Sequence, residues 1–318
     1  MAATERDAAQ IPDRAEGFRV GHARHAAAPT GCTVILCPEG TVAGVDVRGP
    51  APGSRETALL AVDKPIARLD GLLFTGGSAF GLAAADGVMR YLAERGVGHP
   101  TPVRPIPIVA ASVIYDLGVA GGSVHPDAEL GYAACRAARP LPPTAQGTAG
   151  AGTGATVGKW GGRTLMMKGG VGYAERDAEG VLVAALAVVN SVGDVLGEDG
   201  RVLAGARDED GWLADRTPER WLPQSAQFPV KGTNTTLVAV LTEAAMSKPE
   251  AGRLSQRAHD GIARAVLPAH TTYDGDTAYA LACGRRTAPF DLVAALAVGC
   301  VSAAIRNAVR HAEPTARA

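Results

Sequence analysis

Lys231-Gly-Thr-Asn-Thr-Thr-Leu-Val-Ala-Val-Leu-Thr242 changes character in its middle. Lys231 to Asn234 is polar and holds Gly232, which reads as a loop, whereas Thr236 to Thr242 is a run of β-branched and apolar residues, which reads as a buried strand. Thr235 stands at the junction. Taken alone, a threonine there is an ordinary strand entry. It is also what a self-cleaving hydrolase requires. If the Asn234–Thr235 bond breaks, Thr235 gains a free α-amine beside its own hydroxyl, and that amine can serve as the hydroxyl's general base.

Working outward, other segments repeat the pattern of apolar strand and covering helix. Gly71–Thr75, Pro105–Ala111, Val181–Val189 and Thr277–Cys283 read as strands. Helices are expected over Ser78–Glu94 and Pro126–Ala138, from a capping box at Ser247-Lys-Pro-Glu250 to about Val266, and over Phe290–Arg310. Strands apolar on both faces need cover on both faces, so the expected fold class is layered, α/β or α+β. Cys32–Cys37 and Val42–Val47, joined by Pro-Glu-Gly, carry a hairpin signal. Residues 1–16 read as a loose tail and 17–318 as a single domain. Charged residues cluster from Arg201 to Arg220, making Gly197–Gly232 the best linker candidate, and it ends at the suspected cleavage point. Scission there leaves 234 residues before and 84 after, and the 84-residue part is too short to cover its own core.

Composition narrows the function. Lys plus Arg is 31 against 32 acidic residues, so nothing points to a nucleic-acid or anionic-membrane partner. Gly is 40 of 318 with only 4% aromatics, which implies tight turns and close small-residue contacts. Five cysteines without a Cys-x-x-Cys suit buried reduced thiols. The Met1–Arg14 stretch is polar with no apolar run for a signal peptide, and Leu292–Ile305 reads as too short to span a bilayer, so a soluble, cytoplasmic protein is expected.

Several motifs fail on spacing. Gly77-Ser-Ala-Phe-Gly81 is one residue off a serine nucleophile elbow, Gly154-Ala-Thr-Val-Gly158-Lys159 lacks the phosphate loop's first glycine and Ser/Thr, and His259 and His270 lack a zinc pattern. Asp274-Gly-Asp276 is more telling. Asp-Gly is a common turn pair, but two carboxylates at a strand entry could also orient the Thr235 hydroxyl and hold its charged amine. The 39 residues from Thr235 to Asp274 fit one strand–helix–strand unit, which would set both strand starts at one end of adjacent strands. Asn190 is either a turn-former or an oxyanion donor, Tyr115 a second donor or a packed tyrosine, and Lys159 a solvated lysine or a charge that tunes the nucleophile.

Taken together, the chain resembles the N-terminal-nucleophile hydrolases that include the β-peptidyl aminopeptidases and D-aminopeptidase/esterases, and most closely their nylon-oligomer (6-aminohexanoate-oligomer) endohydrolase branch. The matching stretches include Thr30-Gly-Cys-Thr-Val-Ile, Gly44-Val-Asp-Val-Arg-Gly49, Ser112-Val-Ile-Tyr-Asp116, Gly150 to Lys159, Asn190-Ser-Val-Gly193, Asn234-Thr-Thr236 and Asp274-Gly-Asp276, spread over about residues 17–310. The resemblance implies an αββα sandwich, self-cleavage between Asn234 and Thr235, Thr235 as nucleophile, no metal or organic cofactor, and tetramers of cleaved pairs acting on small amide or peptide substrates. It matches Tyr115 and Asn190 to the oxyanion side, Lys159 to a lysine near the nucleophile, and Asp274 and Asp276 to the acidic pair of the nylon branch. The aminopeptidase branch has serine and glutamate in place of the aspartates. Thr75-Gly-Gly-Ser-Ala-Phe-Gly81 follows the general family form instead. A β-peptidyl or D-aminopeptidase, and a binding protein that keeps the fold without cleaving, are the alternatives.

Overall fold

The computed structural model describes residues 17–217, 219 and 232–313. The expected tail at residues 1–16, and residues 218 and 220–231 of the expected linker, lie outside these. In chain order, the strands that form the two large sheets are β1 (Arg19–Arg24), β2 (Gly31–Leu36), β3 (Val42–Val47), β4 (Ser54–Arg55), β5 (Gly71–Thr75), β6 (Val109–Val113), β7 (Arg139–Pro140), β8 (Gly170–Ala178), β9 (Val181–Asn190), β10 (Thr235–Ala244) and β11 (Thr277–Arg286). The first sheet runs β4-β6-β5-β2-β1-β7 and the second β8-β9-β10-β11-β3. Helices α1 (Ala84–Ala93) and α2 (Ala128–Ala137) pack on the first sheet, and α3 (Lys248–Ala263) and α4 (Phe290–Arg310) on the second. The result is the expected αββα sandwich, an α+β layered fold.

Strand β10 explains why the layers form. Its side chains alternate: Leu237, Ala239 and Leu241 enter the layer between the sheets, beside Ile35, Leu72 and Phe74. Val238 and Val240 face the layer under α3 and α4, beside Leu254, Ile262 and Val301. A strand apolar at every position is stable only where both faces are covered, and each leucine so buried contributes roughly 2 kcal/mol. The layers approach closely. A Cβ on Gly172 of β8 would lie 2.0 Å from the Ala304 carbonyl oxygen of α4, so only glycine admits that helix. The 21-residue α4 is long and apolar enough to cross a membrane by length and composition, but Val293, Ala297, Val301 and Ile305 are spent on this core.

The expected α3 capping box is present. The Ser247 side chain accepts from the Glu250 amide, and the Glu250 carboxylate accepts from the Ser247 amide at 2.8 Å. The expected hairpin is absent. A turn forms, with Thr41 Oγ1 donating to the Pro38 carbonyl at 2.7 Å, but it carries the chain from one sheet to the other. Strand β2 is buried at every residue and pairs with β1 and β5, while β3 is the far edge of the second sheet beside β11. The strand expected from Pro105 begins only at Val109, because Pro105 and Pro107 have no N–H to give a ladder. The described part of Gly197–Gly232 is not bare linker: it holds short strands Val202–Ala204, Arg207–Asp208 and Gly211–Trp212 and a helical turn, Leu213–Arg216.

Candidate active site

Strands β10 and β11 are parallel neighbours, with Leu237 opposite Thr277. Just ahead of them Asn234 bridges Asp274 in the same direction. The strand–helix–strand unit therefore brings Thr235 and the Asp-Gly-Asp turn to one end of the sheet. From the other side, antiparallel β9 sets Asn190 directly opposite Thr235. Asn234, Thr235, Asn190, Asp274 and Asp276 are all buried.

The Thr235 hydroxyl oxygen lies 2.5 Å from the Asn234 carbonyl oxygen, to which it donates. The same carbonyl accepts from the Gly275 amide at 2.8 Å. The peptide group between Asn234 and Thr235 is thus polarised by one donor from outside while a hydroxyl lies against it. Gly275 has no room for a side chain: a Cβ would stand 2.5 Å from the Ala51 carbonyl oxygen and 3.0 Å from Thr235 Oγ1. The Asn234 side-chain Nδ2 donates weakly to the Tyr273 carbonyl at 3.3 Å, and its Oδ1 is buried without a partner among the described residues.

The two aspartates hold different places. Asp276 Oδ1 accepts from the Thr236 amide at 2.6 Å, and its Oδ2 accepts from the His270 amide at 3.0 Å and faces His270 Nδ1 at 2.7 Å. Asp274 Oδ2 accepts from the Thr271 amide at 2.9 Å and hydroxyl at 2.6 Å, while Oδ1 reaches the Val192 amide at 3.4 Å. Burial, and then the neighbouring Asp276 charge, push the Asp274 carboxyl up to about 6. The Arg48–Ala51 segment clasps the turn from outside: the Arg48 amide donates to the Asp276 carbonyl at 3.0 Å and the Ala51 amide to the Asp274 carbonyl at 3.1 Å.

Lys159 reaches the site through Asn190. Its Nζ donates to the Asn190 carbonyl at 2.8 Å and to Asn190 Oδ1 at 2.7 Å. Burial drives this lysine down to about 7, against the pull of Asp274, Asp116 and Asp276. Asn190 Oδ1 also accepts from the Thr156 amide at 3.0 Å, and its Nδ2 donates to the Tyr115 carbonyl at 3.3 Å. Among the described residues this leaves one Asn190 N–H over. Tyr115 therefore joins the network by its main chain. Sequence reasoning missed Gly275, whose main-chain donor has no side-chain signature, and His270 and Thr271, which precede the acidic pair by a few residues. It also gave no role to Asp116, buried beside Lys159, whose carboxyl is raised by burial and accepts from the Gly77 amide at 2.7 Å. Among the described residues no group of three or more His, Cys, Asp or Glu is arranged to hold a metal.

The chain is 40% identical to an uncharacterised aminopeptidase of Mycobacterium tuberculosis (strain ATCC 25618 / H37Rv), over 94% of this chain and 93% of that one. It is 34% identical to the 6-aminohexanoate-oligomer endohydrolase of Paenarthrobacter ureafaciens, over 83% and 72% respectively. Among solved structures, the L-aminopeptidase D-Ala-esterase/amidase of Ochrobactrum anthropi, described as a variant of the Ntn-hydrolase fold, superposes with a TM-score of 0.69 at 20% identity, covering 93% of this chain and 85% of that one. A Burkholderia sp. β-aminopeptidase gives 0.66 at 23%, covering 92% and 84%; at these identities the likeness is one of fold. The family model for peptidase family S58 matches residues 11–318, so the chain belongs to that family and is an amide-bond hydrolase.

Proposed function

We propose that the chain is a self-processing hydrolase whose nucleophile is Thr235, released by scission of its own Asn234–Thr235 bond. The observation that carries this reading is the contact of the Thr235 hydroxyl with the Asn234 carbonyl, which the Gly275 amide holds from the other side. The hydroxyl oxygen attacks the Asn234 carbonyl carbon. The C–N bond breaks, the proton passes to the departing nitrogen, and an ester with a free Thr235 amine remains. Water hydrolyses the ester, leaving a carboxylate on Asn234. In the mature enzyme the Thr235 amine takes the hydroxyl proton as Thr235 attacks a substrate amide. The amide C–N bond breaks, the substrate amine leaves with that proton, and the acyl-threonine so formed is then hydrolysed by water, which frees the Thr235 hydroxyl. Asp276 and Asp274 orient the start of β10, Lys159 sets the local charge, and Asn190 with the Gly275 amide stabilises the oxyanion, a role worth ~3 kcal/mol per donor. Tyr115 supports Asn190.

The substrates are linear amide oligomers or small peptides, as the names of the relatives suggest, with the protein working in the cytoplasm as a tetramer of cleaved pairs. A purely aminopeptidase activity is the second reading, favoured by the higher identity to proteins named aminopeptidases, 40% against 34%. Cutting of internal amides in an end-blocked oligoamide separates the two. The decisive measurement is intact mass under denaturing conditions. Wild type should give two pieces, the smaller beginning at Thr235 and about a quarter of the total, while Thr235→Ala stays whole and inactive. A full-length wild type without activity would favour a binding protein on the same fold, and a cleaved or active Thr235→Ala protein would remove Thr235 from the role.

A further inference from the structure

We propose that His270 is a positioning residue that fixes the Asp276 carboxylate against the start of β10; the role rests on Thr235 being the nucleophile. Two donors of this one residue, the main-chain N–H at 3.0 Å and Nδ1 at 2.7 Å, converge on Asp276 Oδ2. That leaves Oδ1 to accept from the Thr236 amide at 2.6 Å, one residue past the nucleophile. Bonds to a charged acceptor are the strong ones, and two from one side define the plane of the carboxylate. The convergence has a backbone cost. His270 has φ +55°, in the left-handed region that few residues other than glycine adopt.

The ring's orientation is imposed from further away. His270 stacks edge-on to His259 of α3, with centroids 4.8 Å apart and planes at 73°. His259 is itself tied by Nε2 to the Asp46 carbonyl of β3 at 3.0 Å. A carbonyl only accepts, so Nε2 carries that proton, and burial keeps the His259 ring neutral by lowering it to about 4. A line of contacts therefore runs from the edge strand through α3 to the acidic pair. A turn histidine that merely satisfies itself on a nearby carboxylate would need neither the left-handed backbone nor the ring behind it.

His270→Gly keeps the left-handed backbone and the main-chain donor but removes the ring. His270→Asn keeps that backbone and restores an N–H near the place of Nδ1. Relative to wild type, His270→Gly should lower both the self-cleavage rate and kcat by about 10- to 100-fold with KM unchanged, while His270→Asn stays within about threefold. Hydrogen exchange at the Thr236 amide reads the Asp276 bond directly, cleaved or not, and should speed up in the glycine variant alone. A glycine variant with wild-type turnover and a protected Thr236 amide, or an asparagine variant as impaired as the glycine one, would overturn the proposal. If wild type neither cleaves nor hydrolyses amides, the reading of Thr235 falls, while the Thr236 exchange still decides whether His270 holds Asp276.

Discussion

Asp274 and Asp276 are separated by one glycine, and both are almost fully out of water. Each faces three hydrogen-bonding groups, Asp276 those of Thr236 and His270 and Asp274 those of Thr271 and Val192, yet burial and the neighbouring carboxylate raise Asp274 to about 6. The folded chain thus keeps the Asp274 proton up to about pH 6, while the unfolded chain releases it near 3.8. A carboxyl with a raised folded value stabilises fully at low pH, and that contribution is lost as the pH rises through the folded value. Thermal melts of the Thr235→Ala protein should lose stability between about pH 4 and 6 through this group, and Asp274→Asn should flatten that slope. A slope unchanged by Asp274→Asn would assign the proton elsewhere. At this scale the sequence was informative where the chemistry resides in a side chain with a local signature. Thr235 stands at a loop-to-strand boundary, and the aspartates flank a glycine. The Gly275 donor and the His270 contacts were not legible, because a main-chain N–H carries no letter and a left-handed histidine looks like any other.

Among the elements, α3 was the most fully legible. Ser247-Lys-Pro-Glu250 announces its start, and both reciprocal bonds form. Ser247→Ala should therefore cost about 1 kcal/mol in chemical denaturation, with little change in activity, because the cap lies at the end of β10 remote from Thr235. An unchanged denaturation midpoint would mean that the exposed Glu250 side chain alone caps the helix. The β2–β3 connection was legible only in half. The Pro38-Glu39-Gly40 turn is there, but a turn signal carries no information about which sheet receives the next strand. Burial was the better guide: β2 is apolar on both faces and central, whereas β3 ends in half-exposed residues at an edge. The abundance of glycine also had its explanation here, since close layer contacts such as Gly172 against Ala304 require it.

For the whole molecule, the layered class followed from doubly apolar strands, but the sheet order did not, because it depends on pairings far apart in the sequence. That order has a consequence for a nicked chain. Two adjacent inner strands of the second sheet, β10 and β11, come from beyond Asn234, and the strands on either side of them, β9 and β3, come from before it. The two pieces left by scission would be interleaved rather than side by side. Such a protein has one native state reached from two separate molecules. Before such a cut, folding would be a property of a single chain; after it, recovery from denaturant would be a second-order encounter. Regain of structure by the cleaved protein should accelerate with protein concentration, and that of full-length Thr235→Ala should not, as dilution series followed by circular dichroism would establish. The cut would thus act as a ratchet: the polypeptide folds once as a unit, and afterwards a denatured enzyme must find its other half.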